Sequence, residues 1–331
     1  MSKKTPEQPL ALRAASIFKR SNGTGGGPKA RLLVFVSLAV ALAFSSVASA
    51  KHFGDWGAPV NAESIPGTSS ELNTASNEGY SIESPDGLSL YIVSDRPGGF
   101  GALDIWVARR ASTDDGWGAP ENLGMPVNSS ANDWSPTPVP GHGFYFVSGR
   151  AGGCGTDDIY FTRFKNGAWE DPQNLGCQIN STVGEASPSY FEDETGHAIL
   201  YFSSNRPGGL GLNDIYFSVD FGPAQLAPGL NNAFNDVRPN VRKDGLEIVF
   251  DSNRPGSFGM QDIWRASRNT TADDWSTPTN LGPLINSAAM EARATLSRDG
   301  MTMYFGSNRA GTEGLSDIYM TSREKLKGDG H

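Results

Sequence analysis

The strongest constraint in this chain is a phrase that returns five times. Its first copy reads Ser94-Asp95-Arg96-Pro97-Gly98-Gly99-Phe100-Gly101-Ala102-Leu103-Asp104-Ile105-Trp106, and the others run over 150–160, 206–216, 254–264 and 309–319. In each copy an Arg is followed eight residues later by Asp-Ile and an aromatic, at Arg96/Asp104, Arg150/Asp158, Arg206/Asp214, Arg254/Asp262 and Arg309/Asp317. Successive Asp residues lie 54, 56, 48 and 55 positions apart. A period near fifty marks a repeat architecture, in which a unit too small to bury its own apolar face stacks on its neighbours.

The rest of each unit aligns around the phrase. Trp-x-x-Pro-x-Asn-Leu-Gly stands at 117–124, 169–176 and 275–282, and an aliphatic-Asn pair follows at Leu72-Asn73, Val127-Asn128, Ile179-Asn180, Leu230-Asn231 and Ile285-Asn286. Five positions beyond each Asn sits a carboxylate: Glu78, Asp133, Glu185, Asp236 and Glu291. A short strand, a turn rich in Asp and Gly, and a second run dense in aromatic and β-branched residues come next. Such runs bounded by Gly, Pro and Asp read as strands, and short connections make neighbours antiparallel. Each unit therefore holds four strands: a after the carboxylate, b after the turn, c from Asp-Ile and d from the Trp. That is the make-up of a propeller blade.

Strand counting predicts how the array ends. The first d strand, from Trp56 to Asn61, precedes the first a strand, and the last unit stops after its c strand near Arg323. Ring closure resolves both mismatches if Trp56–Asn61 becomes the outer strand of the fifth blade. The expectation is an all-β, five-bladed propeller over 51–325, with four antiparallel strands per blade and a tail at 326–331. In the unit after Ile215 the Trp position reads as Asp220, and the closing d strand leads into an insertion around Ser64–Glu71.

Residues 1–50 stand apart. Seven Lys or Arg and one Glu precede an apolar run from Leu32 to Phe44, followed by Ala48-Ser49-Ala50. This order reads as a secretory signal peptide. A retained anchor is the alternative, although thirteen apolar residues fall short of the ~20 that a membrane span needs. The whole chain carries a net charge of −9, and removing the basic leader makes the remainder more acidic. Phosphate backbones select Lys and Arg, so nucleic acid is excluded as a partner. Export, to the periplasm or beyond, makes the only two cysteines, Cys154 and Cys177, candidates for a disulfide. Cys154 lies in the second b–c loop and Cys177 in the following d–a connection, on one face of one blade. Phe100 and Met125 occupy the equivalent positions in the first blade.

The Ser-Pro-Asp-Gly turn at 84–87, the Ser-Asn-Arg-Pro-Gly-Gly loop at 204–209 and the recurrent Asp-Ile-Tyr resemble the repeats of TolB-type β-propellers, relatives of the WD repeat. The likeness covers 56 to about 323. It implies a propeller of the bacterial periplasm or cell surface that serves as an interaction module. This chain shows five repeats where TolB has six, and no TolB-like N-terminal domain.

Several residue sets are candidates for chemistry or for architecture. The five Arg–Asp pairs of the phrase read as charge-assisted braces within the loop, since a ligand seldom needs five equal contacts. The recurring Trp residues read as packing between blades. The carboxylates Glu78, Asp133, Glu185, Asp236 and Glu291 stand at the start of the innermost strands, around one mouth of the channel. They read either as capped turns or as a ligand-binding rim. Beside them Tyr80, Trp134, Ser135, Ser187, Arg238 and Arg293 vary from unit to unit, as an asymmetric pocket would. An axial cation is one ligand for such a rim. No cofactor is expected: the His residues occupy unrelated positions, and no calcium-loop or nucleophile-elbow spacing occurs. The functional expectation is a non-catalytic propeller that binds an envelope protein or a glycan through the face bearing the b–c and d–a loops. The alternative is a glycoside hydrolase or polysaccharide lyase that uses paired carboxylates.

Overall fold

The computed structural model describes residues 53–326, so the expected leader and most of the tail lie outside the described residues. Five antiparallel sheets follow one another around an axis. The innermost strands are Glu78–Glu83, Asp133–Val139, Glu185–Glu192, Asp236–Val241 and Glu291–Leu296. The second strands (Ser89–Ser94, Gly143–Ser148, Ala198–Ser204, Glu247–Ser252, Thr302–Ser307) and the third (Asp104–Arg109, Asp158–Lys165, Asp214–Val219, Asp262–Ser267, Asp317–Ser322) pair in register, so each phrase Asp faces the Ser that ends the strand before it. The outer strands are two residues each: Glu121–Asn122, Gln173–Asn174, Gln225–Leu226, Thr279–Asn280 and, for the fifth blade, Val60–Asn61. The fold is a five-bladed β-propeller.

Closure follows the predicted route. Val60 pairs with Met320 and Asn61 with Tyr319. Asn61 Nδ2 donates to Asp317 Oδ2 at 3.1 Å, as Asn122 does to Asp104 at 2.9 Å within the first blade. The N-terminal segment thus takes the place and the Asn–Asp bond of an internal outer strand. Beyond it, Gly54 and Gly57 donate to the carbonyls of Glu324 and Ser322. Arg323, 1% exposed at its side chain, lies between the rings of Phe53 and Trp56 and pairs with Glu247 of the fourth blade.

The core lies between blades. Second-strand side chains such as Ile92, Phe146, Phe202, Phe250 and Phe305 are fully buried, each contributing about 1.5–3 kcal/mol of apolar transfer energy. The recurring Trp residues sit in this layer, as expected. Trp117 of the first blade donates from Nε1 to Tyr304 of the fifth, and Trp275 of the fourth to Tyr201 of the third, both at 3.2 Å. The third blade differs from the sequence alignment. Its outer strand, Gln225–Leu226, places Phe221 rather than Asp220 at the Trp position, and Phe221 stacks on Tyr190. Asp220 instead pairs with His197 at 2.6 Å on the surface.

Candidate functional site

Every blade carries one corner built on a carboxylate, a strand-end Ser and an Arg, with a Ser or Thr hydroxyl added in all but the fourth, where Asn232 takes its place. In the third, Glu185 accepts from the Ser181 backbone and hydroxyl, from Ser204 Oγ at 2.9 Å and from Arg206 Nη2 at 2.9 Å. Arg206 Nη2 also donates to the carbonyl of Ile179. The Arg of the phrase therefore ties the end of the second strand to the connection that arrives from the previous blade. The pattern recurs as Arg96–Glu78, Arg150–Asp133, Arg254–Asp236 and Arg309–Glu291.

This corrects the pairing expected within the phrase. Asp104 does not brace Arg96. It accepts from the Phe100 and Gly101 backbone and from Asn122. Asp158, Asp214, Asp262 and Asp317 likewise cap their own loops through backbone N–H groups. A Cβ at the second Gly of the phrase would collide with this carboxylate at Gly99, Gly153 and Gly209, whereas the fourth and fifth blades carry Ser257 and Thr312 at that position. The conserved geometry extends to the aliphatic-Asn pair. Asn128 donates to and accepts from the Ile105 backbone, as Asn73 does with Ile318. The side-chain amide stands in for a missing strand partner.

The five carboxylates do not form an open rim. Glu78, Asp133, Glu185, Asp236 and Glu291 are each 0% exposed, enclosed by the donors of their own corners. The residues two positions on face the axis instead. Each inner strand slips register there, and Tyr80, Ser135, Ser187, Arg238 and Arg293 adopt positive φ between 49° and 63°. Such a β-bulge re-aims a side chain, and these five line an axial cavity of about 30 Å³. Arg238 donates to Tyr80 Oη at 3.1 Å, to Asp251 at 2.9 Å and to Gln261 Oε1 at 3.1 Å. Trp134, half-buried, meets Tyr80 edge-on at 5.3 Å. Arg238, Tyr80 and Arg293 are thus brought together, while Ser135 and Ser187 of the neighbouring second and third blades contact each other at 3.3 Å.

The two faces differ. On the a–b face the axis opens into a cavity of about 360 Å³, whose walls include Pro85, Pro138, Tyr190, Glu83, Lys243 and Arg298. Burial raises the Glu83 carboxyl above its ordinary value despite Arg110 and the Tyr304 hydroxyl at 3.0 Å. On the opposite face, nine of the thirteen exposed large apolar side chains among the described residues stand on b–c and d–a loops. Phe100, Leu210 and Phe258 precede their Asp by four positions, Leu212, Met260 and Leu315 by two. Met125, Phe234 and Leu284 come from d–a connections. In the second blade the same two loops are joined by the Cys154–Cys177 disulfide, with a Cα–Cα distance of 5.7 Å. This apolar crown lies outside the motifs singled out from the sequence. Its signal was the recurrence of large apolar residues inside loops otherwise built of Gly, Pro and Ser.

No family model matches the chain, and no curated protein matches it. Solved structures share the fold at low identity. An α-L-arabinofuranosidase from Lactobacillus brevis superposes with a TM-score of 0.52 at 13% identity, over 82% of this chain and 96% of that one. A thermostable family-43 glycoside hydrolase gives 0.51 at 14%, over 79% and 93%. TolB from Acinetobacter baumannii gives 0.42 at 15%, over 77% of this chain, which spans only 55% of that TolB. Likeness at this level concerns the fold and leaves the activity open. Among the described residues no group of three His, Cys, Asp or Glu side chains is placed to hold a metal, and no helix is long and apolar enough to cross a membrane.

Proposed function

We propose that this chain is a non-catalytic, extracytoplasmic propeller that binds a protein partner through the face bearing the b–c and d–a loops. The apolar crown is the observation that carries the reading. Single exposed apolar residues are ordinary, but large ones gathered on one face mark an interaction surface. Their kind favours a protein over a glycan. Leu and Met offer no flat ring for a sugar to stack on, whereas Phe and Met are enriched where proteins meet. Export is supported by the leader pattern and by the disulfide, which persists in oxidising compartments. The glycan-active alternative needs carboxylates open to substrate, and the five corner acids are enclosed.

The test uses the exported protein as bait in the envelope and secreted fractions of its source, with a Leu212→Ser/Met260→Ser/Leu315→Ser variant alongside. Wild type is expected to retain a defined partner that the variant loses while its melting temperature stays unchanged. Equal retention by both, or hydrolysis of a glycan panel by wild type, would remove the reading. Dimerisation of wild type in place of a foreign partner would assign the crown to a second copy of the chain.

A further inference from the structure

The axial neck carries an unbalanced charge. Arg238 and Arg293 both line it, and the only carboxylate paired with either guanidinium among the described residues is Asp251, which bonds Arg238. The oxygens of Asp251 also accept from the Arg293 backbone N–H, at 3.0 and 2.9 Å. The Arg293 guanidinium itself has no ion-pair partner among the described residues, and its buried Nε has no hydrogen-bond partner at all. It lies over the Tyr80 ring, 4.4 Å from the centroid, and feels the Asp251 carboxylate only at a distance. Gly79 makes room for it, since a Cβ there would collide with Arg293 Nη1. The group is held in place, charged and uncompensated. Two guanidiniums against one carboxylate leave one net positive charge in a partly buried neck, an arrangement that a counter-ion would relieve. Burial lowers the Arg293 pKa and Arg238 adds to the lowering, while Tyr80 and Asp251 act the other way.

We propose that the axial cavity beside Arg293 is a binding site for a single small monovalent anion of the size of chloride. The volume of about 30 Å³ exceeds what one water needs, and the one unpaired guanidinium calls for a single negative charge. The donors fit: Arg293 offers its free N–H groups, and Ser135 and Ser187 add hydroxyls on the facing wall. The sequence suggested a cation at the axis. The side chains that reach the axis carry the opposite preference, because the bulges bring arginines there and leave the acids in their corners.

The test is thermal unfolding of the exported protein in sodium gluconate, with chloride or bromide replacing gluconate at constant ionic strength. The expected result is a saturable rise of about 3 °C at tenfold excess over Kd, absent in Arg293→Met. Crystals soaked in bromide provide a readout that does not depend on the variant folding. An anomalous peak against Arg293 is expected. Absence of both a halide-dependent shift in wild type and a bromide peak would overturn the proposal, as would a shift of equal size in Arg293→Met.

Discussion

The two faces of the ring are made from the same repeats, yet one is stitched and the other is open. On the b–c/d–a face every blade spends an Arg, a carboxylate and an Asn on its own loops, and these bonds cross from blade to blade. With the polar groups consumed internally, what remains outward is apolar: Phe100, Leu212, Met260, Leu315 and their neighbours. On the a–b face the turns are short and local. Ser84 closes its turn through Asp86, and Ser297 through Asp299. Lys243 and Arg298 are exposed there and form no ion pair among the described residues. Rigidity and apolar exposure therefore coincide on one side, and free charge and cavity space on the other. A rigid loop set can present apolar side chains without their collapsing onto each other.

The comparison is broken most severely at a corner. Arg206→Ala leaves Glu185, 0% exposed, without its counter-charge, and about 3–5 kcal/mol of stability should be lost. Arg298→Ala on the open face should stay within about 0.5 kcal/mol. Urea unfolding of both variants checks the pair, and similar losses would erase the distinction. Next in size is the disulfide. Cys154→Ser/Cys177→Ser opens a link across 23 residues of sequence and should cost about 3 kcal/mol, read as a lower urea midpoint.

The seam between the termini gives a pH-dependent effect. Burial alone would raise the Glu247 carboxyl, but Arg323, Arg265 and Arg242 together hold it below its ordinary 4.5. A depressed folded-state pKa contributes stability above the unfolded value and loses it as pH falls through the folded one. The stability gap between wild type and Glu247→Gln should therefore be widest near neutrality and narrow below about pH 4.5, as followed by melting temperature against pH. A gap constant down to pH 2 would place the effect elsewhere. The smallest expected change is at the crown, where Leu212→Ser or Leu315→Ser should alter stability by no more than about 0.5 kcal/mol while weakening partner capture.

Much of this molecule was readable from the chain. The recurrence of Arg, Asp-Ile and Trp-x-x-Pro-x-Asn set the number of blades. The displaced Trp56–Asn61 announced the closure because an outer strand with no blade of its own has one place to go. The cysteines fell on loops that topology brings together. The pairing of Arg was misread for a definite reason. Arg96 and Asp104 are neighbours in sequence, but the Gly-rich loop folds the Asp back onto its own N–H groups. The Arg then reaches Glu78, eighteen residues earlier and across the blade. Phe221 was missed because its blade keeps a shortened third-to-outer loop and has Leu226 where the other outer strands have Asn.

The chain by itself determined the ring: periodic strands, the closing segment and the crosslink all follow from which residues recur and which are displaced. Only the tertiary structure decided what faces the axis and what faces solvent. That choice rests on a register slip of one residue in each inner strand, which turns Tyr80, Arg238 and Arg293 toward the centre and leaves the adjoining acids enclosed. Side-chain periodicity in a strand is two, so a single extra residue reverses the assignment of faces, and the only sequence mark of the slip is the Pro that follows it in three of the five strands, at Pro136, Pro188 and Pro239.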